Sequence, residues 1–215
     1  MGLFITLEGP EGTGKTTQAG MLADRLSAAG YPVVLTREPG GTAVGERIRA
    51  ILSDPQHPEI NPVTEALLFN AARAQLVAEV IRPALAKGRI VICDRFSDST
   101  IAYQGYGHGL SLGMLRALVD IATGRLSPDL TILLDLEPGD GLKRKLAALS
   151  TEGGPEWNRI DAKAIEFHER IRAGFLKMAR EEPGRWMILN AAQPAEVLND
   201  KITERSLRIL SERNS

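Results

Sequence analysis

A chain of 215 residues with 43% hydrophobic and 25% charged side chains is the size of one α/β domain, and its core needs neither disulfides nor a structural metal. A formal net charge of −1 excludes a nucleic-acid binder held mainly by phosphate contacts, so any polyanion site must be local. No window approaches the roughly 20 apolar residues of a membrane span, and no leader pattern precedes the first strand; a cytoplasmic protein without a membrane or nucleic-acid partner is expected.

The first apolar run, Leu3–Glu8, reads as a strand and leads straight into Gly9-Pro10-Glu11-Gly12-Thr13-Gly14-Lys15-Thr16, followed by Thr17 and a helix-like run. This fits Gly-x-x-x-x-Gly-Lys-Thr in the context the motif requires, between a strand and a helix. Its glycines let successive backbone N–H groups face an anion, Lys15 reaches the outer phosphates, and the Thr16 hydroxyl ligates Mg²⁺. The loop alone does not say what happens to the phosphate, because switches, motors and kinases share it.

A second strand, 32–37, ends in Thr36-Arg37-Glu38-Pro39-Gly40-Gly41-Thr42, where the turn leaves the Arg37 guanidinium facing the sheet edge. The long helical segment 63–85 carries Leu67, Leu68, Ala71, Leu76, Val80 and Ile81, too many apolar positions for a narrow stripe. A deeply buried helix or a subunit contact explains it equally well. The third strand, 89–94, holds the only cysteine, Cys93, as a reduced core residue, and closes on Asp94-Arg95-Phe96. Apolar residues followed by an acid are the pattern by which phosphate-loop proteins hold Mg²⁺, usually through water, although Asp94 paired with Arg95 is an open alternative.

Strands at 130–136 and 185–190 complete the set. Continuous hydrophobicity with intervening helices predicts a three-layer α/β/α sandwich on a five-stranded parallel sheet, a single domain over 1–215. Glu8, Arg37 with Glu38, Asp94 with Arg95, and Asp135 should line its carboxyl edge, where ligands bind in such folds. Between about 139 and 160 the chain turns basic at Lys143-Arg144-Lys145 and then polar and glycine-rich, which reads as a lid. Two arginines at strand ends beside a phosphate loop suit a second phosphate: a nucleoside monophosphate acceptor is largely dianionic, needs no general base, and must be brought against another polyanion. Were the acceptor a hydroxyl, Glu8 or Asp94 would serve as base.

Four segments, in order, resemble the thymidylate kinase family: Glu8 to Gln18, Thr36 to Thr42, Leu67-Leu68-Phe69-Asn70-Ala71-Ala72-Arg73-Ala74-Gln75, and Asp94-Arg95-Phe96-Ser97-Asp98-Ser99-Thr100-Ile101-Ala102-Tyr103-Gln104-Gly105. The resemblance implies a phosphate-loop nucleoside monophosphate kinase that uses ATP and Mg²⁺ to convert dTMP to dTDP, and a homodimer. It implies that Arg37 and Arg95 grip the dTMP phosphate, Phe69 stacks on thymine, Arg73 bonds its edge, Tyr103 lies against the deoxyribose, and Ser99 and Gln104 complete the base pocket. Lys15, Arg95, Arg159 and Glu8 are the expected catalytic groups, with Gly9 to Thr17 on ATP and Thr16 and Asp94 on Mg²⁺.

Glu11 stands where some members carry a basic loop residue, so the chain is similar to the bacterial type that supplies this charge from the lid. Residues 146–158 nevertheless contain no Lys or Arg, leaving Arg144, Lys143, Lys145 and Arg159, with Arg159 favoured. His108 occupies a place where relatives often have arginine. His57 and His168 are expected to be structural or solvated.

Overall fold

The computed structural model describes residues 2–54, 56, 60–149 and 160–214. Five parallel strands, β1 (Leu3–Glu8), β2 (Val33–Arg37), β3 (Ile90–Asp94), β4 (Leu130–Asp135) and β5 (Trp186–Asn190), form one sheet in the order β2-β3-β1-β4-β5. Every predicted strand is present, each within a residue of its expected ends. The three central strands are almost wholly buried, because helices cover both faces and leave no side for polar residues.

The alternation along β1 shows how the two faces differ. Leu3, Ile5 and Leu7 pack on α1 (Lys15–Ala28) and α9 (Ala195–Asn214), against Leu22, Leu26 and Ile202. Burial of each such side chain stabilises the fold by about 1.5–3 kcal/mol. Phe4 faces the other way, into Leu76, Ile81 and Phe96. Beyond it the same face turns polar through Thr6 and Glu8, and this change prepares the carboxyl edge for chemistry.

That second face is covered by α3 (Pro62–Leu76), α4 (Arg82–Ala86), α5 (Ser97–Thr100) and α8 (Ile165–Glu181). The helix expected over 63–85 is present, but residues Val77–Ile81 form a π-helical turn between α3 and α4. Pro83 explains it: lacking an N–H, it cannot bond to the carbonyl four residues back, and the turn widens. A second π-helical stretch, Ile101–Gly107, continues α5 and carries Tyr103 and Gln104. The remaining helices are α2 (Ala43–Ser53), α6 (Leu112–Thr123) and α7 (Pro138–Ala148). The basic triplet Lys143 to Lys145 lies inside α7, which begins earlier because Pro138 starts it.

The phosphate loop is seated directly on α7. Gly12 has φ 68°, and a Cβ there would lie 1.9 Å from the Gly141 carbonyl oxygen, while one on Gly141 would lie 2.2 Å from the Glu11 carbonyl oxygen. Only glycine at both positions permits this backbone contact.

Candidate active site

A crevice of about 870 Å³ opens at the carboxyl edge of the sheet. Glu11 to Gln18 form its floor, and Arg37, Phe69, Arg73, Asp94, Arg95, Ser99, Tyr103 and Gln104 all line it. These side chains come from four separate segments. Gly9 and Pro10 do not line the crevice but support it: the Gly9 carbonyl accepts from Arg95 Nη1 at 3.2 Å and the Pro10 carbonyl from Lys15 Nζ at 2.7 Å. Lys15 also donates to Thr13 Oγ1 at 3.3 Å, and burial, followed by the nearby Arg95 charge, lowers its ammonium to about 8.

Arg95 is the hub. Its φ of 69° is unusual for a side-chain-bearing residue. The Arg95 N–H donates to the Leu7 carbonyl at 2.9 Å and the neighbouring Phe96 N–H to Glu8 Oε1 at 2.8 Å, which hold the loop in this shape. The guanidinium lies 5.0 Å from the Tyr103 ring centroid and donates to Glu11 Oε1 at 2.8 Å. Tyr103 Oη donates to the same Glu11 oxygen at 2.8 Å. Burial alone would raise the Glu11 carboxyl, yet Arg95, Lys15 and Lys145 hold it well below the usual carboxylate range. Arg37 is half exposed and pairs with Glu46 at 3.0 Å.

Arg73 is fully buried, and its five N–H groups are spent within the chain. Nε and Nη2 bind Glu38, Nη1 binds Asn70 and Thr100, and Nη2 also reaches the Phe96 carbonyl, all within 2.6–3.2 Å. The expectation that Arg73 reads a base edge therefore meets a side chain with no uncommitted donor. Gln104 is buried too, donating from Nε2 to Glu65 Oε1 at 2.7 Å.

Glu8, one of the expected catalytic groups, sits behind the crevice wall. It is 0% exposed and does not line the crevice, and its second oxygen accepts from Ser99 Oγ at 2.6 Å. Both of its oxygens are thus engaged within the chain, by the Phe96 N–H and by Ser99. Asp135 closes β4 at the carboxyl edge as expected, but its carboxylate pairs with Arg172, 2.7 Å away, and does not line the crevice. Burial, with the Asp98 carboxylate adding to it, pushes Glu8 from 4.5 up to about 8. The folded protein thus holds this proton more tightly than the unfolded chain, so stability present below the ordinary carboxyl pKa is lost as pH rises through about 8. Glu8→Gln, neutral throughout, is expected to flatten the decline in stability across that window. Urea unfolding at successive pH values measures it, and an unchanged slope would contradict the assignment.

Thr16 Oγ1 donates to Asp94 Oδ2 at 2.5 Å, bringing two hard oxygens together beside Lys15, and Asp94 shows no ion pair with Arg95 among the described residues. This donor set fits Mg²⁺, which keeps most of its ligands as water and substrate phosphate. Among the described residues no cluster of three or more His, Cys, Asp or Glu could hold a metal by itself.

Of the lid candidates, Arg144 and Lys145 line the crevice. Arg144 Nη1 donates to the Ala191 carbonyl at 2.8 Å, and Lys145 pairs with buried Asp161 at 2.6 Å. Lys143 is exposed, 3.9 Å from Asp140. Arg159 and His57 lie outside the described residues, as do 150–158, so the expected lid composition is untested there. Sequence reasoning missed the wall formed by Ala191, Gln193, Ala195 and Leu198, and also Arg49. None belongs to a motif; Ala191 and Gln193 lie in the loop after β5 and Ala195 and Leu198 in the first turn of α9, and only their placement beside the phosphate loop reveals them. It also missed Glu38 as the partner of Arg73, which a conspicuous acid inside the turn motif could have suggested.

The family described as thymidylate kinase matches residues 7–202. Thymidylate kinase of Roseiflexus castenholzii is 53% identical over 209 residues, covering 94% of this chain and 91% of the relative. That of Deinococcus radiodurans is 52% identical over 201 residues, covering 94% of each. The crystal structure of thymidylate kinase from Ehrlichia chaffeensis superposes with a TM-score of 0.77 at 34% identity, covering 94% of this chain and 97% of that one.

Proposed function

We infer how the crevice works from one premise: the chain belongs to the thymidylate kinase family and phosphorylates dTMP to dTDP with ATP as donor. The observation that carries our reading is that the phosphate loop, Arg37, Arg95, Phe69, Tyr103 and Gln104 share one crevice. The γ-phosphoryl group of ATP would sit over the loop N–H groups with Lys15 against it. Arg95 and Arg37 would hold the dTMP phosphate, exchanging their carboxylate partners for an incoming dianion. Phe69 would stack on thymine, Tyr103 would lie along the deoxyribose, and Ser99 and Gln104 would close the base pocket. Arg73 would brace that pocket, reaching the base only by sharing a proton already donated.

Thr16 and Asp94, the latter through water, would hold Mg²⁺, which would supply charge neutralisation between the two phosphate chains. No general base is needed, because the acceptor oxygen is already anionic. The nucleoside of ATP would lie along Arg144, Ala191 and Gln193 at the other end of the crevice. Residues 139–160 would act as a lid on this single domain, with Arg144, Lys145 and Arg159 as the candidates for neutralising the transferred group.

A homodimer is supported by exposed Val44, Ile51, Val63, Leu67, Met114 and Ile121 on the adjacent helices α2, α3 and α6, and light scattering checks it. No helix among the described residues is long and apolar enough to cross a membrane. We place the protein in the cytoplasm, in keeping with its free, buried Cys93.

Initial rates with ATP, Mg²⁺ and a panel of dTMP, dUMP, CMP, AMP and thymidine test the site assignment. The highest kcat/KM is expected for dTMP, with little turnover when Mg²⁺ is chelated. Equal efficiency with any other acceptor, or full activity without the ion, would overturn it.

A further inference from the structure

Behind Gln104 lies a buried acid that the reaction does not use. Glu65, in the first turn of α3, is 1% exposed, and its Oε1 accepts from Gln104 Nε2 at 2.7 Å. The same oxygen lies 3.3 Å from His108 Nε2, a buried nitrogen without a well-aligned hydrogen-bond partner among the described residues. The His108 ring is packed on Phe167, with centroids 4.8 Å apart.

An ionised carboxylate only accepts hydrogen bonds, whereas a carboxamide presents an NH₂ on one side and an oxygen on the other. Glu65 therefore draws the NH₂ of Gln104 inward. The amide oxygen is left on the opposite side, and Gln104 lines the crevice. An oxygen offered there accepts from a pyrimidine that carries N3–H, as thymine does, and repels one whose N3 holds a lone pair, as cytosine does. His108, whose Nε2 lies 3.3 Å from the same Glu65 oxygen, is the group placed to keep Glu65 in register.

We propose that Glu65, held by His108, is a positioning residue that sets the orientation of the Gln104 amide and thereby the preference for dTMP over dCMP. This rests on the reading that Gln104 touches the base. In Glu65→Gln, residue 65 can donate as well as accept, so the Gln104 amide is free to turn over. The ratio of kcat/KM for dTMP to that for dCMP is expected to fall about tenfold, with KM for ATP unchanged. His108→Leu, which keeps the packing on Phe167, is expected to raise KM for dTMP at nearly constant kcat, and His108→Arg to restore it.

Gln104→Leu separates the two levels of the argument. If it leaves dTMP kinetics untouched, Gln104 does not read the base and the site assignment fails with it. If it impairs dTMP use while Glu65→Gln leaves the dTMP to dCMP ratio unchanged, the positioning role is overturned. Should Glu65→Gln fail to fold, the His108 pair decides: loss with leucine and recovery with arginine support the proposal, and equal behaviour of the two refutes it.

Discussion

Replacing Lys15 by alanine is expected to lower kcat for dTDP formation by about three orders of magnitude or more, with melting temperature nearly unchanged. Phosphoryl transfer asks little covalent chemistry of the protein; the barrier falls because charge developing on the transferred group meets fixed cations in a site that excludes water. Lys15 is 7% exposed, so solvent screens it weakly. It curls onto its own loop, on the Pro10 carbonyl and Thr13 Oγ1, contacts the fold can lose cheaply. Its ammonium, lowered to about 8 by burial and by Arg95, stays charged through neutral pH, and bound phosphates would favour that form further. Lys15→Arg keeps the charge but not the compact ammonium, and partial activity is expected. Retention of near-normal turnover by Lys15→Ala, measured by coupled assay at saturating ATP, would remove Lys15 from the mechanism.

Arg73→Ala is expected to be the most damaging single change to stability, costing about 3–5 kcal/mol and lowering the melting temperature by roughly 6–20 °C. Arg73 and Glu38 are both buried, and the pair is 2.6 Å apart. Removing the cation strands an uncompensated carboxylate whose proton affinity burial already raises. It also leaves the Phe96 carbonyl and the side chains of Asn70 and Thr100 without their donor. Adding Glu38→Gln should recover a substantial part of the loss, since the stranded charge is then absent. Calorimetry on the two single variants and the double variant measures this. A loss below about 1 kcal/mol for Arg73→Ala would mean that the pair behaves as a surface ion pair despite its burial.

The same residue shows where sequence reading stops. Arg73 belongs to a segment whose resemblance implies contact with a base, and it does line the crevice, yet its donors are committed to Glu38, Asn70, Thr100 and Phe96. Those partners lie 35, 3, 27 and 23 positions away. Glu8 carries the same lesson in reverse. A strand-ending acid beside a phosphate loop suggested chemistry, but its side chain points into the face that Phe4 and Thr6 share and is consumed by Phe96 and Ser99. The π-helical turn at Val77–Ile81 was invisible to hydrophobic periodicity, because it follows from one missing N–H at Pro83 rather than from any apolar pattern.

The amino-acid order by itself determined the strands, the helices between them, the parallel sandwich and the phosphate loop. Each rests on local chemistry: unbroken apolar runs need cover on both faces, and a glycine-rich turn between strand and helix exposes N–H groups to an anion. Only the tertiary structure decided which charged side chains face the crevice and which neutralise each other behind it. In a low-dielectric interior a charge is settled by its nearest partner, and here the partners of Arg73, Glu8 and Gln104 come from distant stretches of chain brought together by the packing of α3 and α5 against the sheet.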